Sequence, residues 1–215
     1  MNLSKEQVVE RIVKRLAKEF KNGDFVNLGI GMPTKAVNYL PPDVKITLQS
    51  ENGMLGMGKS QDPNTPNPRI VNAGAQQVTI EEGGMYFDSS FSFGLIRGGH
   101  VDITVLGGLE VDEQANLANW IVPGKLVPGM GGAMDLVNGT KKVIVIMEHC
   151  DKAGNSKIKK ACTLPFTGLN CVDQVITELA VFEWRDGKLT LVELQEGVSV
   201  DDVKAATEAE FVVAV

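Results

Sequence analysis

Short runs rich in Val, Ile and Leu, each bounded by Gly, Asp or Asn, constrain the fold of this 215-residue chain more than any other feature. They occupy residues 25–28, 45–48, 69–72, 101–106 and 142–147. Runs of this length without regular polar alternation are typical of strands buried on both faces. We therefore expect an α/β fold built on a central, mostly parallel sheet.

Helix and turn signals surround these runs. Ser4 and Gln7 match a capping box ahead of apolar residues at helical spacing, which predicts a helix over residues 4–20. Pro33 suits the first turn of a second, short helix. Near the end of the chain, Asp186-Gly187 predicts a tight hairpin turn. This turn joins strand candidates at residues 175–184 and 189–194, and Ser199 with Asp202 then caps a last helix to about residue 208.

Composition narrows the class of protein. The formal net charge of −6 and the pI near 5.0 argue against a nucleic-acid or anionic-membrane partner. We see no signal peptide or membrane-spanning run, which indicates a cytoplasmic protein. The three cysteines have no paired spacing, which argues against a secreted disulfide framework. Residues 60–68 have the Pro and Asn content of a surface loop, so we expect a single domain over residues 1–215.

Glu51 is the leading candidate for a reactive side chain. It follows the run at residues 45–48 and precedes Asn52-Gly53, a strong turn signal. We expect it at the carboxyl end of a strand, the edge at which open α/β sheets bind ligands. Ser50 and Asn52 can orient it, and room for a substrate is expected from the nearby Gly53, Gly56 and Gly58. The alternative is an ordinary solvated glutamate.

Two glycine-rich turns are candidate ligand-binding segments. Residues 29–34 do not fit the dinucleotide-binding pattern, because Pro33 and Thr34 replace its later positions. They form either an anion-binding turn or a tight connection from strand to helix. A second turn contains Gly124, Gly129, Gly131 and Gly132. It either exposes N–H groups to a ligand ahead of a helix over residues 133–137, or is a flexible surface turn.

The two histidines give weaker signals. His100 follows Arg97 and two glycines, and is either a general base or a structural residue. His149 stands beside Cys150, with Cys162 and Cys171 downstream, but these spacings match no metal-ligand pattern. No metal site is predicted.

Five segments occur in order along the chain. They are Ser50-Glu51-Asn52-Gly53, residues 95–100 (LIRGGH), 117–125 (LANWIVPGK), 129–136 (GMGGAMDL) and 162–168 (CTLPFTG). Together they resemble the B (beta) subunit of family I coenzyme A transferases, which include 3-oxoacid and acetate/butyrate–acetoacetate CoA-transferases. The resemblance covers nearly the whole chain. It implies an open three-layer fold, with helices flanking a mixed or mostly parallel sheet, related to that of ribose-phosphate isomerases.

The resemblance also implies roles for particular residues. Glu51 would be the nucleophile of a ping-pong reaction that passes through a glutamyl-CoA thioester. A carboxylate suits this role because it is ionised at neutral pH and needs no base. Gly132, with Gly131 beside it, would donate to an oxyanion next to the CoA pocket, and Asn52 and Gly53 would support the nucleophile. Coenzyme A would enter as part of the substrate, with no tightly bound cofactor.

The same resemblance implies a partner and a substrate class. The partner would be an A (alpha) subunit, most simply in an A2B2 heterotetramer, although an AB dimer, an octamer or a fused chain are alternatives. Acetoacetyl-, acetyl-, butyryl- or succinyl-CoA would supply CoA to a carboxylic acid. A transferase for 3-oxoadipate or another acid, and a non-catalytic binding module of related fold, stay open. Some relatives carry lysine where this chain has Ala75, so no cationic contact to CoA is expected there.

Overall fold

The structure, a computed structural model, describes residues 3–124 and 129–215 of the chain. Its helices are α1 (Lys5–Ala17), a 3₁₀ helix (Pro33–Tyr39), α2 (Ser89–Arg97), α3 (Ala133–Gly139) and α4 (Val200–Ala206). The first strands are β1 (Phe25–Leu28), β2 (Thr47–Ser50), β3 (Met54–Ser60), β4 (Val78–Tyr86), β5 (Ile103–Gly107), β6 (Glu110–Asp112) and β7 (Leu117–Ala118). The later ones are β8 (Lys142–Ile146), β9 (Ile158–Lys159), β10 (Gln174–Ile176), β11 (Ala180–Arg185), β12 (Lys188–Leu194) and β13 (Val212–Val213).

Ten of these strands form one sheet in the order β13-β12-β11-β10-β8-β5-β1-β2-β3-β4. The central strands β10, β8, β5, β1 and β2 are all parallel, and antiparallel strands flank them on both sides. Strands β7, β6 and β9 form a separate small sheet. The expected α/β fold with a mixed sheet is confirmed, and the carboxyl ends of five parallel strands meet along one edge.

Apolar side chains of the central strands alternate between two cores, one on each face of the large sheet. On one face, Ile144 and Ile146 of β8 pack with Ile12 and Leu16 of α1. On the other face, residues of α2, α3 and α4 pack against the same strands, as the buried Val145 of β8 illustrates. The result is three layers, helix, sheet and helix, because every central strand is covered on both sides.

The predicted start of the first helix and the predicted turn of the C-terminal hairpin are confirmed. Ser4 and Gln7 form both hydrogen bonds of the capping box at the start of α1. Asp186 and Gly187 have φ angles of 51° and 72°, as the tight turn between β11 and β12 requires. Residues 175–184 are not one strand, however, because Thr177 closes a turn that reverses the chain between β10 and β11.

The prediction of a buried strand at residues 69–72 is wrong. Val71 forms a single isolated bridge with Gln77, and Arg69 is exposed. The chain turns immediately afterwards, because the Asn72 side chain accepts hydrogen bonds from the N–H groups of Gly74 and Gln76, both at 3.0 Å. Hydrogen bonds to the Asn72 side chain thus take the place of the strand pairing that an apolar run of this kind usually forms.

No helix in the described ranges 3–124 and 129–215 has the length and apolar character needed to cross a membrane.

Candidate active site

Glu51 lies directly after β2, at the carboxyl edge of the parallel strands, in the turn that leads to β3. The N–H of Gly53 donates to the carbonyl of Ser50 at 3.0 Å and closes the turn. Gly53 has a φ of 115°, and a Cβ atom there would clash with the carbonyl oxygen of Phe87. Only glycine fits this position, so Gly53 fixes the backbone that carries the carboxylate.

The Glu51 side chain is partly buried and accepts a hydrogen bond from Asn27. Asn27 lies in β1, is 1% exposed, and its Nδ2 is 3.3 Å from Oε2 of Glu51. We did not predict a role for this residue. The sequence does carry a signal, since Asn27 is a polar residue inside the otherwise apolar run of β1.

Gly132 approaches Glu51 from the other side. It is the buried residue immediately before α3, and a Cβ atom there would lie 3.3 Å from Cγ of Glu51 and 3.2 Å from Cζ of Phe93. Gly131 has a φ of 57° and nothing within 4 Å of a Cβ position. Two residues that are 81 positions apart in sequence, Glu51 and Gly132, are thus neighbours with only a tight methyl-sized space between them, which brings the two leading sequence candidates together.

A cavity of about 330 Å3 opens in front of Glu51. Its walls come from three connections, at residues 29–30, 72–74 and 129–133. Apolar side chains supply much of the remaining lining, and these are Leu28, Met57, Leu106 and Leu136. Glu51 is the one charged side chain among the described residues that line the cavity. Such a site offers a single anionic group beside backbone N–H groups and an apolar surface.

Asn52 supports the cavity rather than the carboxylate itself. Its Nδ2 donates to the carbonyl of Val71 at 2.8 Å, while the hydroxyl of Ser50 accepts from the N–H of Ala73 at 2.9 Å. Both side chains therefore tie the wall at residues 72–74 to the turn that holds Glu51. Ala75 lies just beyond this wall and is exposed.

We expected Gly56 and Gly58 to leave room for a substrate, but the structure places them in the pairing of β3 with β4. A Cβ atom at Gly56 would lie 2.9 Å from the Cα of Gly84, in the neighbouring strand β4. Close approach of β3 and β4 explains this glycine, and neither Gly56 nor Gly58 lines the cavity.

Arg97 and His100 also lie outside the cavity lining. The Nε of Arg97 bonds Oδ1 of Asp135 at 2.7 Å, and its guanidinium sits 5.6 Å from the centre of the Phe93 ring. This ion pair joins α2 to α3 and so holds the helix that follows Gly132. His100 is exposed.

His149 is a buried structural residue. Its Nδ1 and Nε2 lie 3.0 and 2.9 Å from the hydroxyls of Thr177 and Thr207. Burial lowers the pKa of His149 to about 4, so the ring is neutral at pH 7. Among the described residues, no group of three or more His, Cys, Asp or Glu side chains is placed to hold a metal ion. Residues 125–128, which include the end of the segment 117–125, lie outside the described part of the chain.

Comparisons with known proteins identify the family of this chain. Residues 9–206 match the family model described as Coenzyme A transferase. The beta subunit of the acetate CoA-transferase of Haemophilus influenzae is 62% identical over 205 residues, which cover 95% of this chain and 92% of that protein. The B subunit of the probable succinyl-CoA:3-ketoacid coenzyme A transferase of Bacillus subtilis is 54% identical over 204 residues, which cover 95% and 94%.

Solved structures share the fold. An acyl-CoA transferase from Escherichia coli O157:H7 aligns with a TM-score of 0.75 as the apoenzyme and 0.71 as its thioester complex with CoA, at 20% identity in both cases. All of this chain is covered, but it spans only 43% of that neighbour. Since the family model covers residues 9–206 and the relatives from Haemophilus influenzae and Bacillus subtilis match 95% of the sequence, the chain belongs to the coenzyme A transferase family of enzymes.

Proposed function

We propose that this chain is the B subunit of a CoA-transferase that moves CoA from a short-chain acyl-CoA to a carboxylic acid through a thioester on Glu51. The observation that carries the proposal is the placement of Glu51 at the sheet edge, facing a cavity that Gly132 also lines. The names of the relatives from Haemophilus influenzae and Bacillus subtilis support the type of subunit and the reaction class.

The first half-reaction begins when an oxygen of the Glu51 carboxylate attacks the thioester carbon of the acyl-CoA. The C–S bond breaks, CoA leaves as a thiolate, and a mixed anhydride joins the acyl group to Glu51. The thiolate then attacks the Glu51 carbonyl carbon, and the original acid leaves as a carboxylate. Glu51 now carries CoA as a thioester.

The second half-reaction follows the same path in reverse with another acid. The carboxylate of this acid attacks the Glu51 thioester and expels the thiolate, which then attacks the acid's side of the new anhydride. The new acyl-CoA departs and the Glu51 carboxylate is restored. No proton has to be transferred in either half, so an ionised carboxylate is a sufficient nucleophile.

Each step passes through a tetrahedral oxyanion that requires hydrogen-bond donors. We assign the N–H of Gly132 to this role, with Gly131 beside it, because the loop lies against the Glu51 side chain. One such donor typically lowers the barrier by about 3 kcal/mol. The absence of a Cβ at Gly132 also lets the reacting carbon approach the backbone closely.

The acids are proposed to be short. The described lining offers apolar surface from Leu28, Met57 and Leu106, and the cavity volume of about 330 Å3 leaves space for a small acyl group. Acetoacetate, acetate, butyrate and succinate are the candidates, and a 3-oxoadipate transferase is the alternative within the same chemistry. CoA takes part as a substrate component rather than as a bound cofactor.

An A subunit is proposed to complete the site. The curated relatives are named as beta or B subunits, and the structural neighbour is more than twice as long as this chain. The cavity is open, and Ile30 at its rim is 68% exposed. An A2B2 heterotetramer is the simplest assembly that pairs each such cavity with a second chain.

Trapping the covalent intermediate tests the proposal. The complex of this chain with its A subunit is incubated with acetoacetyl-CoA, treated with hydroxylamine or borohydride, digested, and mapped by mass spectrometry. We expect a modification on the peptide that contains Glu51. An active complex with no modification, or with modification at another residue, contradicts the mechanism.

Paired variants provide the control. Glu51→Gln removes the nucleophile with little change in volume, and we expect it to abolish both trapping and transfer. Glu82→Gln changes an exposed carboxylate of β4 outside the cavity, and we expect normal trapping and transfer. Normal transfer by Glu51→Gln is the result that refutes the proposal.

A further inference from the structure

A line of buried polar side chains runs from α2 to Glu51 through two adjacent strands. Nε2 of Gln49 donates to the hydroxyl of Ser92 at 2.8 Å. Oε1 of Gln49 accepts from Nδ2 of Asn27 at 2.6 Å, and the same Nδ2 lies 3.3 Å from Oε2 of Glu51. Ser92, Gln49 and Asn27 are 0%, 1% and 1% exposed, so water has little access to the two bonds that join them, although Asn27 and Gln49 border the cavity.

Geometry restrains each member of this line. Asn27 of β1 and Gln49 of β2 are direct partners across the parallel strands. Ser92 lies in the middle of α2, which packs on the sheet. The two amides therefore sit on rigid elements, and their main remaining freedom is rotation about the last side-chain bond.

The bond to Gln49 determines which way the Asn27 amide faces. The –NH2 group of Asn27 donates to Oε1 of Gln49 and to Glu51, and it also lies 3.4 Å from the backbone carbonyl of Gln49. Turning this amide over would set its oxygen against both Oε1 of Gln49 and the Glu51 carboxylate. Its own Oδ1 is buried and has no hydrogen-bond partner among the described residues, so nothing there holds the amide in place.

Ser92 anchors the other end of the Gln49 amide. While Nε2 of Gln49 bonds the Ser92 hydroxyl, Oε1 of Gln49 is turned toward Asn27. Rotation of the Gln49 amide would present its –NH2 to the –NH2 of Asn27, a contact between two donors. The Asn27 donor aimed at Glu51 thus depends on two residues that do not touch the carboxylate themselves in any hydrogen bond.

We propose that Gln49 and Ser92 are positioning residues for the reaction, acting on Glu51 through the amide of Asn27. The proposal rests on the assignment of Glu51 as the nucleophile. With the donor in place, one carboxylate oxygen is held at Asn27, and the other is left to face the cavity and attack. Without it, the carboxylate samples rotamers that do not point at the substrate.

The first test replaces each positioning residue in the complex with the A subunit. Gln49→Met keeps an unbranched side chain of similar length but removes both bonds, and we expect kcat for transfer to fall about tenfold, the effect of one ordinary hydrogen bond. Ser92→Ala is the milder variant, with an expected fall of about threefold. The KM for acyl-CoA is expected to stay within about twofold for Ser92→Ala, since Ser92 does not line the cavity, whereas Gln49 does.

A double-mutant cycle separates positioning from general damage. If Gln49 acts through Asn27, then Gln49→Met added to Asn27→Ala should lower kcat no further, because the amide it restrains is already gone. Gln174→Met is the matched control. Gln174 is also a buried glutamine, 2% exposed, but it lies in β10, three strands away from β1 in the sheet and outside the cavity lining, so kcat should be unchanged.

The outcomes are distinct. The proposal is overturned if Gln49→Met lowers kcat by the same factor in the wild type and in the Asn27→Ala background. It is also overturned if Gln49→Met and Ser92→Ala both leave kcat unchanged. If Gln49→Met does not fold, Ser92→Ala is put through the same cycle. Failure of the proposed function has its own readout, the absence of a trapped Glu51 adduct in the unaltered complex, whereas this cycle measures transfer rates.

Discussion

At the scale of single residues, Gly132 leaves space beside Glu51 because it has no side chain. Any side chain there would press on Cγ of Glu51 and on the Phe93 ring at about the same time. Gly53 has an equivalent importance for the backbone, since its left-handed conformation and the nearby Phe87 carbonyl admit no Cβ. Two glycines therefore set the position of one carboxylate.

We predict that Gly132→Ala lowers the rate of thioester formation by up to about 10-fold while the chain stays folded. The added methyl group would lie 3.3 Å from Cγ of Glu51, so the Glu51 side chain would have to move by a few tenths of an ångström, and a shift of about 1 Å in a reacting group can cost about 100-fold. The measurement is the single-turnover rate at which acetoacetyl-CoA modifies Glu51.

Gly94→Ala is the control for this substitution. Gly94 lies in α2, and a Cβ atom there meets nothing within 4 Å. We expect an unchanged rate and a free energy of unfolding raised by up to about 1 kcal/mol, because alanine favours a helix. A normal rate for Gly132→Ala would contradict the assigned contact.

Sequence patterns located Glu51 and the glycine turns but not Asn27, Gln49 or Ser92. Glu51 follows an apolar run and precedes a turn signal, and both are local features of the chain. The bond between Gln49 and Ser92 joins residues 43 positions apart, and that between Asn27 and Gln49 joins residues 22 apart. Such pairs become visible only when the order of the strands is known.

At the scale of secondary-structure elements, His149 links the end of β8 to β10, β11 and α4. It follows β8, and its two ring nitrogens contact Thr177 after β10 and Thr207 after α4. The ring also packs 6.1 Å, centre to centre, from Phe182 of β11. The buried ring therefore ties the last helix to the centre of the sheet.

We predict that the chain loses stability as the pH falls from about 6.5 toward 4, and that His149→Gln reduces this loss. Burial lowers the pKa of His149 to about 4, whereas an unfolded histidine titrates near 6.5. Between these values the unfolded chain binds the proton and the folded chain does not, so stability is present above pH 6.5 and decreases below it. The contribution amounts to as much as ~3 kcal/mol.

Urea unfolding of the wild type and of His149→Gln at several pH values between 4 and 7.5 measures this effect. We expect the variant to be less stable at pH 7.5 because it cannot bond both threonines, and the gap to narrow as the pH falls. Parallel curves for the two proteins would show that His149 is not the group responsible.

The sequence predicted element boundaries correctly where the pattern was chemically specific. The capping box at Ser4 and the Asp186-Gly187 turn are specific patterns, since each fixes a backbone conformation by itself. The strand prediction for residues 69–72 failed, because Asn72 caps its own turn and ends the strand pairing after one bridge. Short apolar runs do not reveal whether a sheet partner is available.

At the scale of the whole molecule, the parallel centre of the sheet brings strand ends together at one edge. Glu51, the proposed nucleophile, follows β2, and its donor Asn27 lies in the neighbouring strand β1. Helices cover both faces of these strands, so the edge is the accessible part of the central sheet. A second chain that covers this edge closes the cavity without rearranging either core.

We predict that this chain alone has no transferase activity and that activity appears when the A subunit is added. Light scattering of the active sample should give the mass of two A and two B chains. Full activity of the isolated chain contradicts the shared site, and a stable pair of one A and one B chain contradicts the tetramer. The Glu82→Gln variant should assemble normally, since it changes an exposed residue away from the cavity.

The turn at Glu51 joins β2, the outermost of the parallel strands, to its antiparallel neighbour β3. It is the shortest of the connections around the cavity. Longer connections, which include residues 29–30, 72–74 and 129–133, build the walls. Of these walls, the connection at residues 29–30 is the one that carries neither the proposed oxyanion donors nor a bond to the Glu51 turn. A lineage that adopts a new acid can substitute this connection residue by residue while Glu51, Gly131 and Gly132 stay where they are.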